Sequence, residues 1–250
     1  MNIKLYEFLA KRLRPIELAY FVKKVLLIKR RDYAVDQNIF FLDPVSDLGI
    51  RLLSTNKYEP EIEQLITGTL KEGDTFVDLG ANEGYFSILA SKKVGSTGKV
   101  FAIEPQERLW EVIIRNIQLN DCHNIQLVPY AIGEKIEMVE FILAPSVNTG
   151  SSGLIKFGRS ALWKRQVSRS TTLDRVIGKQ KINLLKIDIE GYEFYALKGA
   201  AGILASGQVE NIILELHPAH LKQLGHSIEE IQKFIAGFGF TFHDGMYKRG

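Results

Sequence analysis

Residues 78–85, Asp-Leu-Gly-Ala-Asn-Glu-Gly-Tyr, place an acid, two glycines and an asparagine at the end of a short apolar run. Gly80 and Gly84 suit a backbone that bends sharply, or one that a ligand must touch. The next apolar run, residues 99–103, ends in Glu104. Ligands of open parallel sheets bind beyond the carboxyl ends of the strands, so these two strand ends predict one nucleotide-type site. Glu104 is well placed there to accept hydrogen bonds from both hydroxyls of a ribose.

The spacing argues against a dinucleotide as the ligand. A dinucleotide fingerprint needs a glycine where Asn82 stands, and Glu83 brings a negative charge close to the position of the phosphates. A cofactor with ribose and adenine, no phosphate and a positive centre fits better, and S-adenosylmethionine has these properties. Asp78 then suits its amino or sulfonium end, because a carboxylate favours a nearby cation. A nicotinamide oxidoreductase is the alternative that this reasoning leaves open.

Three side chains beyond later strands are candidates for catalysis of methyl transfer. Asp188 and Glu190 follow the largely apolar residues 182–187, and His217 follows the run at 211–216. Methyl transfer from a sulfonium is an in-line displacement, so positioning the acceptor oxygen supplies much of the acceleration, and a base assists an unactivated hydroxyl. With an ordinary pKa of about 6.5, His217 could accept that proton near neutrality, or it could merely cap the following loop.

The acids around these candidates allow further interpretations. Asp188 could contact either the methionine moiety or the acceptor. Glu193 is expected to be an acid of a helix N-terminus, and Glu215 to be a buried acid with a structural hydrogen bond. Asp188, Glu190 and His217 could also converge on a divalent ion. Nothing in their spacing requires one, so the prediction is a site without metal.

The candidate residues lie at the ends of elements that alternate regularly. The pattern predicts strands at 75–79, 99–104, 124–129, 183–188 and 211–216, and helices at 84–93, 107–119, 192–205 and 227–237. Strands alternating with helices of this length form parallel crossovers, so the predicted fold class is α/β. An inserted antiparallel pair around the loop NTGSSG, a candidate lid, is expected within residues 134–181, and a hairpin is expected around Asp244-Gly245.

Residues 1–70 are predicted to be a lead-in to a domain at 71–250. Basic amphipathic helices are expected at residues 5–13 and 16–28, strands at the start of 38–49 and at 50–53, and a helix at 59–70. Residues 1–31 carry nine Lys and Arg against two Glu. Their helices are therefore expected either to pack on the body with a solvated charged face, or to dock on an anionic membrane surface.

The composition limits the partners and the compartment. The net charge of +3 comes from residues 1–31, and the remaining chain is mildly acidic, which argues against nucleic acid as a partner of the main surface. The single cysteine rules out an internal disulfide. No apolar run reaches the ~20 residues of a membrane span, and the start lacks a signal-peptide core. A cytoplasmic protein is expected, with peripheral membrane contact as an alternative, and the sequence does not predict its oligomeric state.

Four ordered motifs resemble the FkbM-type S-adenosylmethionine-dependent methyltransferases: FVDLGANEGYFS, VFAIEP, LLKIDIEGYEFYALKGA and IILELHP. The resemblance covers roughly residues 50–218. It implies a class I methyltransferase fold, Rossmann-like, with a seven-stranded, mostly parallel sheet, helices on both faces and a final antiparallel hairpin. It also implies methyl transfer to oxygen on a small-molecule or glycan acceptor: a saccharide, a glycolipid or a secondary metabolite.

The resemblance also carries residue roles. It implies that Gly80, Asn82 and Gly84 form the cofactor loop, that Glu104 binds the ribose, and that Ala131 lies near the adenine. The predicted cofactor-binding residues are Asp78, Gly80, Ala81, Asn82, Gly84, Tyr85, Glu104, Pro105, Ala131 and Asp188, and the predicted catalytic residues are Asp188, Glu190 and His217. A protein that binds the cofactor without catalysis and docks to a membrane or partner is the second alternative that stays open.

Overall fold

The computed structural model describes residues 16–144, 152 and 164–250. The lead-in begins there with a helix and a hairpin, followed by two helices: α1 (Ile16–Val25), β1 (Arg31–Val35), β2 (Asn38–Leu42), α2 (Asp47–Thr55) and α3 (Pro60–Thr69). The predicted helix at residues 5–13 lies outside the described residues. None of the helices in the described ranges combines the length and the apolar character needed to cross a bilayer.

The body is built on one large sheet. Its strands are β3 (Thr75–Leu79), β4 (Lys99–Ile103), β5 (Ile125–Val128), β9 (Ile182–Ile187), β10 (Val209–Leu214), β11 (Phe240–His243) and β12 (Met246–Arg249). Their spatial order is β11-β12-β10-β9-β3-β4-β5. The five strands from β10 to β5 are parallel, and β12 runs antiparallel to β10 and β11. This is the expected class I methyltransferase sheet with its antiparallel closing hairpin.

Helices cover both faces of this sheet: α4 (Tyr85–Val94), α5 (Glu107–Leu119), α7 (Glu193–Lys198), α8 (Ala201–Ala205), α9 (Pro218–Gln223) and α10 (Ile228–Ala236). Successive strand residues point to opposite faces, so Phe76 and Val77 of β3 belong to two different apolar clusters. One cluster packs against α7, α8 and α10, and the other packs against the lead-in and α4. All residues of β3 are buried, which is typical of a central parallel strand.

The insertion forms a small second sheet beside the body. It contains β6 (Ala131–Ile132), β7 (Met138–Leu143) and β8 (Lys164–Thr171), and β7 pairs antiparallel with β8, as the sequence predicts. The short helix α6 (Leu173–Ile177) follows, with Thr172 as its N-cap. Of the loop NTGSSG, only Ser152 is described. The lid predicted there therefore lies outside the described residues.

Four elements differ from the sequence prediction in type or extent. The strand predicted at residues 50–53 is wrong, because this segment belongs to the helix α2. The Ser46 side chain caps α2 by accepting a hydrogen bond from the backbone nitrogen of Gly49. The helix predicted at 192–205 is two shorter helices, α7 and α8, interrupted around Gly199. Strands β9 and β10 also end earlier than predicted, so Asp188 and Glu215 both lie just beyond a strand end.

Candidate active site

A cleft opens at the carboxyl ends of the central parallel strands. Many of the predicted site residues line it, together with residues from the lead-in and the insertion. The lining residues are Tyr58, Glu59, Gly80, Asn82, Glu104, Pro105, Gln106, Ser152, Asp188, Ile189, Glu190, Glu215 and His217. The structure therefore brings together the predicted ribose acid, part of the predicted cofactor loop and all three predicted catalytic residues.

The loop between β3 and α4 has the sharp bend that its glycines predict. Gly80, Asn82 and Gly84 all have positive φ angles, at 91°, 50° and 83°. A Cβ atom on Gly80 would lie 1.9 Å from the carbonyl oxygen of Asp188, so no other residue type fits at this position without a shift of the backbone. The loop and the end of β9 are thus in direct backbone contact on one side of the cleft.

Glu104 holds the other side of this loop. One of its carboxylate oxygens accepts a hydrogen bond from the backbone nitrogen of Asn82 at 2.8 Å, and the other accepts from that of Gln106 at 2.9 Å. Burial raises the pKa of Glu104 to about 7, although these hydrogen bonds oppose the shift. These two backbone donors fix the orientation of the carboxylate at the cleft, which fits the predicted contact with ribose hydroxyls.

Glu83 does not face the cleft, and the sequence argument that its charge would repel phosphate is wrong. Both Glu83 oxygens are paired with the Arg30 guanidinium at 2.7 Å, and the Glu83 side chain is fully buried. The Asn116 side chain also donates a hydrogen bond to the Glu83 carbonyl oxygen at 2.8 Å. Arg30 neutralises this charge behind the loop, so Glu83 connects the loop to the lead-in.

Several predicted cofactor residues do not line the cleft. Asp78 is buried behind it, where it accepts a hydrogen bond from the Ser87 hydroxyl at 2.6 Å and lies 3.9 Å from the Lys186 ammonium. Burial raises the pKa of Asp78, and Lys186 opposes this shift. The contact of Asp78 with the methionine portion stays a prediction, and the structure adds a buried link between β3, α4 and β9.

Three further predicted residues have packing contacts in this structure. The Tyr85 ring lies 5.3 Å from that of Phe40, and its hydroxyl donates a hydrogen bond to Glu63. Ala81 and Ala131 are buried. Gly84, Ala81, Tyr85 and Ala131 are not among the residues that line the cleft. Their predicted contacts with the cofactor are therefore proposals that the geometry leaves open.

The far end of the cleft surrounds His217 with carboxylates. Its Nδ1 lies 2.9 Å from an oxygen of the fully buried Glu193, which also accepts a hydrogen bond from the Gly191 backbone nitrogen at 2.7 Å. Its Nε2 lies 3.6 Å from Glu190 and 3.9 Å from both Asp188 and Glu215. Lys186 is 3.2 Å from the second oxygen of Asp188. The predicted catalytic residues therefore form one charged cluster.

The charges of this cluster change the interpretation of His217. Burial opposes its protonation, but the hydrogen bond with Glu193 and the charges of Glu190, Glu193 and Asp188 outweigh it and raise the pKa of His217 to about 9. The raised pKa favours an imidazolium over the free imidazole base expected from an ordinary pKa, and a catalytic role for His217 stays a prediction. Burial, together with the charges of the neighbouring acids, raises the pKa of Glu190 to about 7, although His217 opposes this shift.

The same cluster offers donor atoms for a metal ion. One ligand atom each from Asp188, Glu215 and His217 lies within 4.8 Å of the others. Carboxylate oxygens and an imidazole nitrogen suit divalent ions such as Mn²⁺ or Zn²⁺. The absence of a metal from the reaction stays a prediction, and a chelator experiment decides it.

Sequence reasoning missed two contributions to the site. Glu193 stands in the first turn of α7, as predicted for a helix-terminal acid, but it also holds the His217 ring in place. Tyr58 and Glu59 reach the cleft from the lead-in, and Glu59 has a positive φ of 49°. The motif Glu-Gly-Tyr-Glu after β9 hints at Glu193, whereas no local pattern indicates that residues 58 and 59 meet the strand ends.

Comparison with known proteins places the chain among methyltransferases. The family described as methyltransferase FkbM domain matches residues 78–242, and the protein-L-isoaspartate (D-aspartate) O-methyltransferase family matches residues 14–133. The hexuronic acid methyltransferase AglP of Haloferax volcanii is 24% identical over 164 residues, covering 64% of this chain and 62% of AglP. Methyltransferase sdnD of Sordaria araneosa is 25% identical over 154 residues, covering 49% of this chain and 59% of sdnD. The chain thus spans about 60% of the length of these relatives.

The chain also aligns with solved structures. A methyltransferase FkbM from Methylobacillus flagellatus aligns with a TM-score of 0.48 and 17% identity, over 99% of this chain and 58% of the other. An S-adenosylmethionine-dependent O-methyltransferase from Thermotoga maritima aligns with a TM-score of 0.46 and 14% identity, over 85% of this chain and 71% of the other. The match to the FkbM domain covers well over half of the chain and argues against a nicotinamide oxidoreductase. The chain belongs to the family described as methyltransferase FkbM domain.

Proposed function

We propose that this methyltransferase acts on a hydroxyl oxygen of a saccharide, either free or carried by a glycolipid or secondary metabolite. The observation that carries the proposal is the position of Glu190. Its carboxyl lines the cleft 3.6 Å from His217, and its pKa is raised to about 7. A base with a pKa near neutrality is what an unactivated hydroxyl acceptor needs.

The backbone at Glu190 supports a functional role for this residue. Glu190 has a positive φ of 55°, which is unusual for a residue other than glycine. Backbone strain of this kind concentrates at active sites, where the surrounding structure holds it in place. Glu193 and His217 provide that support, since Glu193 bonds both the next backbone nitrogen and the imidazole.

The walls of the cleft favour a sugar over an apolar acceptor. Most lining side chains are polar or charged, and Tyr58 contributes an aromatic ring that a pyranose could stack on. Asp188, Glu190 and Glu215 place three carboxyl groups at this end of the cleft, and the His217 imidazolium and the buried Lys186 offset part of their charge, so the choice of a hydroxyl acceptor rests on Glu190 as a base. The name of the relative AglP, a hexuronic acid methyltransferase, supports a saccharide as the acceptor class.

The proposed roles follow from this arrangement. When bound, S-adenosylmethionine would supply an electrophilic methyl group, with S-adenosylhomocysteine as the leaving group. The bent loop at residues 80–84 and Glu104 hold the cofactor, and Asp188 marks the boundary between cofactor and acceptor. The acceptor hydroxyl gives its proton to Glu190 as its oxygen bonds the methyl carbon. His217, held as an imidazolium by Glu193, offers Nε2–H to orient the Glu190 carboxylate and the acceptor oxygen.

Transfer of a labelled methyl group to a pool of cell glycans tests this proposal. We expect label in saccharides as an ether, which survives mild alkali, whereas a methyl ester would be released. Glu190→Gln should lower the rate about a hundredfold or more while leaving cofactor binding intact. Glu140→Gln, in a solvent-exposed ion pair with Arg165, is the matched control and should retain the rate.

Three outcomes would contradict the proposal in different ways. Cofactor binding without labelling of any acceptor would favour the non-catalytic docking protein. Alkali-labile label would show a carboxyl acceptor instead of a hydroxyl. A chelator could abolish turnover, and Mn²⁺ or Zn²⁺ could restore it. This result would show that a metal ion, and not Glu190, is the principal group that activates the acceptor.

A further inference from the structure

The end of α1 exposes a group of large apolar side chains. Phe21 and Val25 lie one helical turn apart and are each 63% exposed, while Leu26 and Leu27 follow at 49% and 75%. Isolated exposed apolar residues are common on protein surfaces, but a contiguous group of this size indicates an interaction site.

Leu27 occupies a position where glycine is usual. The Ile28 nitrogen donates to the Lys23 carbonyl oxygen and the Leu27 nitrogen donates to the Lys24 carbonyl oxygen, each at 3.1 Å, which closes α1 with a Schellman arrangement. Leu27 itself has a φ of 51°. Glycine would adopt this angle without strain and would expose no apolar surface. A leucine here lowers both stability and solubility. Because Leu27 is 75% exposed, contacts within the described fold do not offset this cost, and we infer a contact outside it.

The charged residues within this segment are all positive. Residues 21–31 contain five Lys and Arg and no acid, and Lys24, Lys29 and Arg31 are exposed. The other two cations point inward, where Lys23 pairs with Asp43 and Arg30 pairs with Glu83. These two buried pairs fix the segment to the body, so the apolar side chains are held outward and the exposed cations stand beside them.

We propose that residues 21–31 form a docking surface for an anionic membrane. Phe21, Val25, Leu26 and Leu27 would enter the boundary between headgroups and acyl chains, and Lys29 and Arg31 would contact the lipid phosphates. The uniform positive charge is the reason for choosing an anionic bilayer over an apolar protein partner. This inference concerns binding alone and does not depend on the proposed acceptor.

The docking surface is also joined to the cofactor loop. Arg30 lies within the segment and pairs with Glu83, which is adjacent to Asn82 at the edge of the cleft. The segment that contacts the bilayer would therefore hold the cleft at a fixed position relative to the membrane. Such an arrangement suits an acceptor sugar that is carried on a lipid.

Sedimentation of the full-length protein with vesicles tests the proposal. We expect binding to vesicles of phosphatidylcholine mixed with phosphatidylglycerol, weak binding to phosphatidylcholine alone, and release at high salt. Leu27→Gly should lower the partition coefficient about tenfold, because it removes a large apolar side chain. Lys29→Gln should lower it about fivefold. Phe242→Ser, which removes a similarly exposed phenylalanine (60%) on strand β11, is the control and should bind as wild type.

Leu27→Gly also distinguishes a membrane from other partners that could cover this surface. Glycine suits the left-handed angle, so we expect the variant to melt close to wild type in the absence of lipid. A clearly lower melting temperature would show that the leucine packs against the chain's own residues, which would overturn the proposal. A lipid-free dimer that this variant dissociates would assign the surface to a second copy. Unchanged vesicle binding by Leu27→Gly and Lys29→Gln would equally refute it.

Discussion

Replacing Arg30 with methionine should destabilise the protein far more than breaking a surface ion pair. Arg30 places two guanidinium nitrogens 2.7 Å from the two oxygens of Glu83, whose side chain is 0% exposed. Removing one partner of a buried pair leaves an uncompensated charge and costs about 3–5 kcal/mol. For a chain of this size, each kcal/mol lowers the melting temperature by about 2–4 °C, so we expect a loss on the order of 10 °C.

The chain offers a matched control for this substitution. Arg115 also bonds a carboxylate, Asp32, through two nitrogens, at 3.0 and 2.7 Å, but both side chains are largely exposed. Solvent screens such pairs, so Arg115→Met should change the melting temperature little. The double variant Arg30→Met, Glu83→Gln removes the uncompensated charge and should recover much of the loss.

Thermal unfolding followed by circular dichroism measures these differences, and calorimetry with S-adenosylhomocysteine measures the effect on the site. Because Glu83 lies in the cofactor loop next to Asn82, we expect Arg30→Met to weaken S-adenosylhomocysteine binding as well, and Arg115→Met to leave it unchanged. The reasoning fails if Arg30→Met and Arg115→Met melt at the same temperature, or if the double variant is no more stable than Arg30→Met.

Three further predictions concern the cleft itself. Gly80→Ala should abolish S-adenosylhomocysteine binding in calorimetry, because its Cβ would lie 1.9 Å from a carbonyl oxygen, whereas Gly178→Ala, also at a positive φ but with no atom within 4 Å, should bind normally. Glu104→Gln should weaken that binding about tenfold to a hundredfold, since the amide nitrogen must face one of the backbone N–H donors, and unchanged affinity would contradict this role. In a pH profile of kcat/KM, the rate should rise as Glu190 loses its proton near pH 7 and fall as His217 loses its proton near pH 9, and a flat profile from pH 6 to 10 would contradict both roles.

The pH dependence of stability has a defined sign at His217. Its folded pKa is raised to about 9, above the ordinary value of about 6.5, because the folded state favours the imidazolium. The stabilisation from its pairing with Glu193 is therefore fully present below about pH 6.5 and is lost as the pH rises through about 9. We therefore expect kcat/KM and the melting temperature to fall over the same pH range, near pH 9.

The parallel sheet could be predicted from sequence because its signals are local. Buried strands read as continuous apolar runs, and a residue that follows such a run, such as Glu104 or His217, must lie at the carboxyl edge of the sheet. Charge states could not be predicted this way. The pKa of His217 depends on Glu193, which is 24 positions earlier in the chain and meets it only after β9 and β10 are paired.

An ion pair between residues distant in sequence also explains why the role of Glu83 in the predicted cofactor loop was predicted wrongly. Glu83 looks from its sequence neighbours like a charge at the mouth of the site, but its partner Arg30 is 53 positions away in the lead-in. The strand predicted at residues 50–53 had a local signal against it, since Ser46 followed by Asp47 is typical of a helix start. The short apolar run at residues 50–53 resembles a strand only when the preceding helix cap at Ser46 is left out.

The cleft described above draws its two halves from different parts of the chain. The turns after β3 and β4 supply the predicted cofactor loop and Glu104, whereas Tyr58 and Glu59 come from the lead-in and Ser152 comes from the insertion. Related enzymes could therefore acquire new acceptors by exchanging these outer segments while the machinery for the methyl donor stays intact. For protein engineering, chimaeras that swap residues 58–59 and the insertion are the natural libraries for changing the acceptor.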